Sequence, residues 1–303
     1  MATQSKVYTV TLNPAIDYIM QTERLTFGET NRSKGEVLQF GGKGINVSTV
    51  LSHLGVPTVA LGFIAGFTGA ALQTAVAQSG VTTEFIQLSE GQTRINVKLR
   101  GEGETEINAG GPQIPAEAVA TLLERLERLV AGDTLVLAGS VPPSLPTDIY
   151  ATILSHLAGR GIRFVVDATG EALRSTLPYH PFVIKPNRRE LEELVGRTLP
   201  DREALVAAAR ELQQQGAERV LVSLGGEGAL LLDAAGEVHT CAAHRGEVIG
   251  TVGAGDSMLA GFLAMAERGE AVALRFANAA GAATAFGEGL ATREAIADLF
   301  GCF

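Results

Sequence analysis

Apolar positions along this chain alternate between two spacings. Between residues 45 and 54 they fall at Val47, Val50, Leu51 and Leu54, the i, i+3, i+4, i+7 pattern of a helix with one buried face. Val7–Leu12, Thr58–Ile64, Thr134–Ala138, Arg163–Asp167 and Val220–Ser223 are short runs rich in aliphatic and β-branched residues, which predicts buried strands, and Glu84–Leu88 and Phe182–Ile184 are shorter candidates. Helices are predicted over Gly69–Gln78, Ala116–Val130 and Thr147–Leu157, from Asn187, from Asp201, and through most of Asp256–Phe300. Within that tail, Ala277–Phe286 reads as a tightly packed core helix, too short to span a membrane. Strands alternating with helices over most of the chain predict an α/β fold with a mostly parallel central sheet and helices on both faces.

Two stretches break that rhythm. Over Thr93–Asn108, Thr93, Ile95, Val97 and Leu99 alternate with Arg94, Asn96, Lys98 and Arg100, a period of two with one apolar and one polar face. Ile16–Phe40 also reads as exposed strand. A two-faced strand outside the α/β repeat predicts a small sheet beside the main domain, such as a lid. Without Pro/Ser linkers, charge runs or repeats, residues 1–303 read as one domain carrying a lid formed by about 16–40 and 93–108. If the polar face looks inward, the apolar face needs a cover, and a second copy of the same lid is the simplest one, which predicts a homodimer.

Composition narrows the partners. Acidic residues exceed basic ones by 33 − 24, giving a net charge of −9, and the basic residues are scattered. That argues against a nucleic-acid binder, which shows a basic domain or stripe. Any anion must instead be held by a few placed cations and backbone amides. Glycine is abundant, 36 of 303 residues or about 12 %, against a usual ~7 %, which points to tight turns and close backbone approaches. The two cysteines, Cys241 and Cys302, belong to no metal-ligand pattern. With no signal-peptide pattern and no membrane-length apolar run, a reducing cytoplasm is the expected location.

Several glycine-rich segments carry the candidate chemistry. Thr251 precedes Gly253-Ala254-Gly255-Asp256 at a helix start, where freed N–H groups and the helix dipole make an anion hole and Asp256 can take a proton. The plainer reading is a glycine turn with a helix-start Asp. Gly41-Gly42-Lys43-Gly44-Ile45-Asn46 leads into another helix with a lysine at its mouth, either a polar-ligand site or a turn with a solvated lysine. In Lys185-Pro186-Asn187-Arg188-Arg189-Glu190, Asn187 and Glu190 share a helix face and match a capping box; the functional alternative sets them near a metal-bound phosphate. Ser223 and Leu224-Gly225-Gly226-Glu227-Gly228 follow a strand as a hairpin turn or a phosphate-side loop. Arg94 covers an anion or faces solvent. No Walker loop, dinucleotide fingerprint, zinc-protease helix or nucleophile elbow occurs.

In this order, TLNPAID (Thr11–Asp17), GGKGIN (Gly41–Asn46), TRINVKL (Thr93–Leu99), KPNRREL (Lys185–Leu191) and TVGAGDSM (Thr251–Met258) resemble the ribokinase/phosphofructokinase-B family of sugar kinases. The resemblance runs over essentially the whole chain and implies a ribokinase-like three-layer α/β/α fold with a small β-lid. It implies an ATP- and Mg²⁺-dependent kinase, with a monovalent cation admitted. The sugar phosphate would be held by Asp17, Gly42, Lys43, Asn46 and Arg94. Lys185, Asn187, Glu190, Ser223, Gly225, Gly226, Thr251, Gly253 and Asn278 would lie along the nucleotide, with Asn187 and Glu190 meeting Mg²⁺ through water. Gly253, Ala254 and Gly255 would form the anion hole, and Asp256 would be the base. The motifs are most similar to members that phosphorylate fructose 1-phosphate at O6, then to those acting on tagatose 6-phosphate, with fructose 6-phosphate a further alternative. A kinase of neutral sugars or nucleosides, and a non-catalytic sugar-phosphate sensor on the same scaffold, are the competing readings.

Overall fold

The computed structural model describes residues 5–301, so Cys302 and the first residues of the N-terminus lie outside it. The chain runs through β1 (Val7–Thr11), β2 (Ala15–Gln21), β3 (Gly35–Gly41), α1 (Lys43–His53), β4 (Thr58–Ala65) and α2 (Gly66–Gln78). Next come β5 (Thr82–Thr83), β6 (Ile86–Leu88), β7 (Arg94–Arg100), β8 (Glu104–Ile107), α3 (Ala116–Leu126), β9 (Thr134–Ala138), α4 (Ile149–Leu157), β10 (Arg163–Asp167) and α5 (Gly170–Arg174). The C-terminal part adds β11 (Val183–Ile184), α6 (Arg188–Val195), α7 (Arg202–Gln214), β12 (Val220–Ser223), β13 (Ala229–Leu232), β14 (Val238–Cys241), α8 (Ala254–Met265), α9 (Glu270–Ala285) and α10 (Arg293–Phe300).

The large sheet has the order β14-β13-β12-β11-β10-β9-β1-β4-β5, with β6 beside β4. It is parallel from β5 to β12, and β13 and β14 close one edge antiparallel. Its strands alternate between two cores. Leu135, Leu137, Phe164 and Val166 pack with α3, α4, α6 and α7, while Val136, Ala138 and Val165 pack with α1, α8 and α9. A strand covered on both faces is apolar at every position, and that is why these runs carry no period-two polarity. Three layers result, as the sequence predicts.

Local differences have local causes. The helix predicted to Val130 ends at Leu126, and its last turn breaks into the turn that leads to β9. Of Glu84–Leu88 only Ile86–Leu88 is strand (β6); β5 (Thr82–Thr83) precedes it, and between the two Glu84 donates its N–H to the Ala60 carbonyl. The hairpin β13–β14 and the short α5 are additional to the expected elements. Ala229–Leu232 is continuous aliphatic sequence directly after a glycine turn, the available signal for that strand.

The second sheet has the order β3-β2-β7-β8 and stands apart from the first. Its strands match the two stretches that break the α/β rhythm, with β2 starting at Ala15 and β3 ending at Gly41, one residue beyond each end of the first. Its period-two pattern is real, but burial runs opposite to polarity: Asn96 and Lys98 are buried and Ile95 is exposed. Among the described residues no helix is long and apolar enough to cross a membrane.

The contact between β1 and β4 tolerates no side chain at Gly62. Gly62 is registered against Thr11 at φ +148°, and a Cβ there would sit 2.0 Å from the Thr11 carbonyl oxygen. Gly62→Ala is therefore expected to cost about 3 kcal/mol or more, lowering Tm by at least about 5 °C in a chain of this size. Thermal unfolding checks it; an unchanged Tm would mean that the two strands separate freely.

Candidate active site

The C-terminal ends of the parallel strands open into one cleft of about 720 Å³. It lies where strand order reverses around β1, the place where open α/β sheets bind ligands. Every site residue singled out from the sequence lines it, from Asp17 and Arg94 on the small sheet to Asn278 on α9.

The glycine run before α1 exists for close packing. A Cβ at Gly42 would lie 2.6 Å from Thr11 Cγ2, one at Gly44 2.6 Å from Thr11 Oγ1, and one at Gly41 2.6 Å from Asn46 Oδ1. Without those atoms the helix start seats on the end of β1, and the Ile45 N–H donates to Thr11 Oγ1 at 3.1 Å. Lys43 and Asn46 are thereby aimed into the cleft. Lys43 Nζ lies 2.9 Å from Asp167 Oδ1 and 3.6 Å from Glu190 Oε1. Burial works against its charge, but Asp167 and Glu190 outweigh that and hold the ammonium well above its ordinary pKa.

Asp167, the last residue of β10, was not singled out by sequence. It is 0 % exposed and sits between two cations, with Lys185 Nζ 3.1 Å from Oδ2. Burial opposes ionisation there, yet Lys185 and Lys43 together keep its carboxyl below the usual carboxylate range. Lys185, itself buried, reaches past Asp167 to Gly255, where a Cβ would come within 3.1 Å of the ammonium. The glycine therefore leaves a cation open to the start of α8.

Asp256 occupies the first turn of α8, whose N-cap Gly253 is left-handed at φ +81°. The Gly255 and Asp256 N–H groups begin that helix without intrahelical partners, whereas the Ala254 N–H donates to the Thr251 carbonyl at 3.2 Å. Asp256 is 6 % exposed, and Asn46 Nδ2 donates to its Oδ2 at 2.7 Å. Burial, with the Asp167 charge behind it, pushes its carboxyl up to about 6, against the lowering effect of Asn46, Lys185 and Lys43. A carboxylate with that pKa ionises near neutrality and remains basic enough to accept a proton.

Asn187 and Glu190 do form the capping box: the Glu190 N–H donates to Asn187 Oδ1 and the Asn187 N–H to Glu190 Oε2, both at 2.8 Å. Both residues of the box line the cleft, so the cap does not remove them from it. Glu190 Oε1 remains directed towards Lys43. Among the described residues no cluster of three or more His, Cys, Asp or Glu could hold a metal by itself. This set fits Mg²⁺ only in the way Mg²⁺ usually binds, through phosphates, waters and one or two carboxylates.

The loop Gly225–Glu227 is both turn and wall. It joins the antiparallel β12 and β13, and Gly225 and Gly226 have open space where a Cβ would stand. Asn278 Nδ2 donates to the Ala242 carbonyl at 2.9 Å, bracing the segment that brings Ala243 and His244 to the apolar end near Val248, Val252 and Phe286.

On the small sheet, Arg94 donates through Nε to the Asn13 carbonyl at 3.1 Å and through Nη1 to the Ala109 carbonyl at 3.3 Å. Burial lowers its pKa and nearby Asp17 partly offsets that. Its other guanidinium N–H groups are left for an anion. Asp17 is held by Asn96 Nδ2 at 2.8 Å and Lys98 Nζ at 3.0 Å. Gly139 and Ser140, directly after β9, also line the cleft and were missed. Gly139 has φ +100° and its carbonyl accepts from Tyr150; a Gly-Ser pair at a strand's end was the available signal.

The family model for pfkB carbohydrate kinases matches residues 8–295. A 1-phosphofructokinase of Bacillus subtilis is 43% identical over 97% of this chain and 97% of its own. A D-tagatose-1-phosphate kinase of Bacillus licheniformis is 37% identical over 94% of each chain. Phosphofructokinase-2 of Escherichia coli, solved in complex with substrates and products, superposes with a TM-score of 0.91 at 31% identity, covering 97% of this chain and 98% of its own. The same enzyme has been solved with potassium and as a tetrameric inhibited form.

If Asp256 must be ionised to accept a proton, its raised pKa sets the acid limb of activity. Below about pH 6 the proton stays on and the rate falls, approaching tenfold per pH unit. A profile of kcat/KM against pH checks this, and a rate constant down to pH 5 would remove Asp256 as the base.

Proposed function

The chain belongs to the pfkB family of carbohydrate kinases, and we propose that it transfers the γ-phosphoryl group of ATP to O6 of fructose 1-phosphate, giving fructose 1,6-bisphosphate and ADP. The observation that carries this reading is a buried, oriented carboxylate, Asp256, at the mouth of a glycine-lined helix start flanked by the buried Lys185 and the half-buried Lys43. A carboxylate so placed accepts a proton from a primary hydroxyl, while the Gly255 and Asp256 N–H groups at the start of α8 and Lys185 meet charge developing on the transferred group. In phosphoryl transfer positioning and electrostatics do most of the work, and both are built into this cleft.

In this reading Asp17, Gly42 and Asn46 hold the sugar hydroxyls, and Lys43 with Arg94 holds the phosphate already present. Lys185, Ser223, Gly225, Gly226, Thr251, Gly253 and Asn278 lie along the nucleotide. Mg²⁺ supplies charge neutralisation on the phosphates, and Asn187 with Glu190 would hold it through water. The small sheet acts as the lid, excluding water from the phosphoryl group. A monovalent cation belongs to the same reading, since the E. coli relative has been solved with potassium. A cytoplasmic location fits an ATP-dependent step.

Arg94 and Lys43 weigh against a neutral sugar or nucleoside, which needs no cationic clamp. Intact Asp256 and its glycine hole weigh against a sensor. The similarity to two kinases of ketohexose 1-phosphates favours the 1-phosphate over tagatose 6-phosphate and fructose 6-phosphate. Tagatose 1-phosphate, the C4 epimer, is the second reading, carried by the B. licheniformis relative. ADP release with a panel of hexose phosphates tests the set: fructose 1-phosphate is expected to give the highest kcat/KM. Asp256→Asn should then abolish turnover and leave binding of both substrates nearly intact; retention of more than about a tenth of kcat would put proton acceptance there below ~1.4 kcal/mol and refute the assignment.

Arg94→Ala should raise KM for the sugar phosphate roughly ten- to hundredfold, the cost of a charged hydrogen bond to an anion, with little change in KM for ATP. An equal loss for ATP would move Arg94 to the nucleotide side.

The lid also implies a homodimer. On its outer face Leu38, Ile95 and Ile107 are 54 %, 40 % and 61 % exposed, and register puts them on the side shared by Tyr18 and Val97. Only the base of this face, Ile16 with Phe40, packs on the protein's own core. A matching lid from a second copy would cover the rest. Val97→Lys should give monomers in light scattering with weakened sugar-phosphate binding; a wild-type monomer at tens of micromolar with full activity would end this idea.

A further inference from the structure

Lys98 is a cation buried on the inner face of the small sheet, 5 % exposed, yet it forms no part of the cleft wall. Burying an ammonium is costly unless it is paired. Its partners are two carboxylates on the neighbouring strands: Asp17 Oδ2 on β2 at 3.0 Å and Glu106 Oε1 on β8 at 3.5 Å. Glu106 is registered directly opposite Lys98 but is far more open to solvent, so Asp17 is the stronger partner. The other Asp17 oxygen, Oδ1, accepts from Asn96 Nδ2 at 2.8 Å. Asn96 is fixed in turn, because its Oδ1 accepts the Ala109 N–H at 3.3 Å.

Each Asp17 oxygen thus carries one buried donor. A carboxylate has about four lone-pair sites, so the remaining acceptor directions are set by the sheet and not by free rotation. Arg94, four residues before Lys98 on the same face, spends two N–H groups on backbone carbonyls, and among the described residues it meets no carboxylate within ion-pair distance. Arg94 and Lys98 are therefore divided in role. Arg94 remains available to an anion, whereas Lys98 is already neutralised.

We infer that Lys98 is a positioning residue for sugar recognition: it fixes the Asp17 carboxylate that accepts the hydroxyls of the ketohexose phosphate. This rests on reading the cleft as a sugar-phosphate site with Asp17 at its sugar end. Lys98 then acts through Asp17 and touches no substrate. Losing it should weaken the sugar without weakening ATP, and should matter only while Asp17 is a carboxylate.

The test is a double-mutant cycle of Lys98→Met and Asp17→Asn, read as KM for the sugar phosphate and for ATP, with thermal unfolding of each protein as the folding control. Lys98→Met is expected to raise the sugar-phosphate KM roughly tenfold and to change the ATP KM less than about twofold. In the Asp17→Asn background the same change should cost less than about twofold. Lys98→Arg, which restores a cation, should recover most of the loss. An undiminished cost in the Asp17→Asn background would overturn the inference, because Lys98 would then contact the ligand itself. An equal rise in the ATP KM would also overturn it, making Lys98 a general prop of the sheet. Should Lys98→Met fold poorly, Lys98→Gln serves in its place. Failure of the functional reading shows differently, in the wild type's rejection of every ketohexose phosphate, whereas failure of the Lys98 assignment shows only in the comparison among variants.

Discussion

A single buried carboxylate organises the cleft. Asp167 ends β10 with no exposure to solvent and binds Lys43 from α1 and Lys185 from the end of β11. An isolated charge at that depth would be neutralised. Glu190, 3.6 Å from Lys43, adds a second carboxylate, so both ammonium groups are paired and stay charged at the carboxyl ends of the strands. A protein of net charge −9 thereby keeps placed cations in its cleft. Removing Asp167 would leave two ammonium groups facing each other, and breaking a buried ion pair from one side is strongly destabilising. The same carboxylate, together with burial, raises the pKa of Asp256. Charge placement and basicity in this cleft are thus one arrangement and not two.

That arrangement depends on how closely backbone can approach backbone. The Gly41–Gly44 run allows α1 to start against Thr11, and this start aims Lys43 at Asp167 and Asn46 at Asp256. Gly62 brings β4 against the same residue from the other side. Gly255 leaves Lys185 open to the start of α8. The glycine excess is partly explained by these contacts, each of which would be closed by one methyl group.

The motifs made much of the fold and most of the cleft legible. Buried parallel strands betray themselves as aliphatic runs, and glycines before helices mark the turns that converge at strand ends. Asp167 stayed hidden because nothing in VVDATG distinguishes a buried ion-pair anchor from a surface aspartate; its partners are 124 residues earlier in the case of Lys43 and on a separate strand in the case of Lys185. Gly139 and Ser140 escaped for the same reason, as their importance comes from position beside β1. The capping-box reading of Asn187 and Glu190 holds, and the same two side chains line the cleft.

Polarity in the small sheet looked simple and was not. A period of two shows that the faces differ, but it does not say which face is buried. The polar face turns inward, where Asp17, Asn96 and Lys98 satisfy one another, and much of the apolar face is left to solvent. Inward burial of Asp17, Asn96 and Lys98 is tolerable because these three partner one another. Outward exposure of Leu38, Ile95 and Ile107 has no such compensation within one chain. The two faces share a backbone, so whatever covers the apolar side also steadies the strands that carry Asp17 and Arg94. In the proposed dimer, assembly and sugar binding would be coupled through a sheet only one layer thick, and a change on its outer face would reach the cleft without touching it.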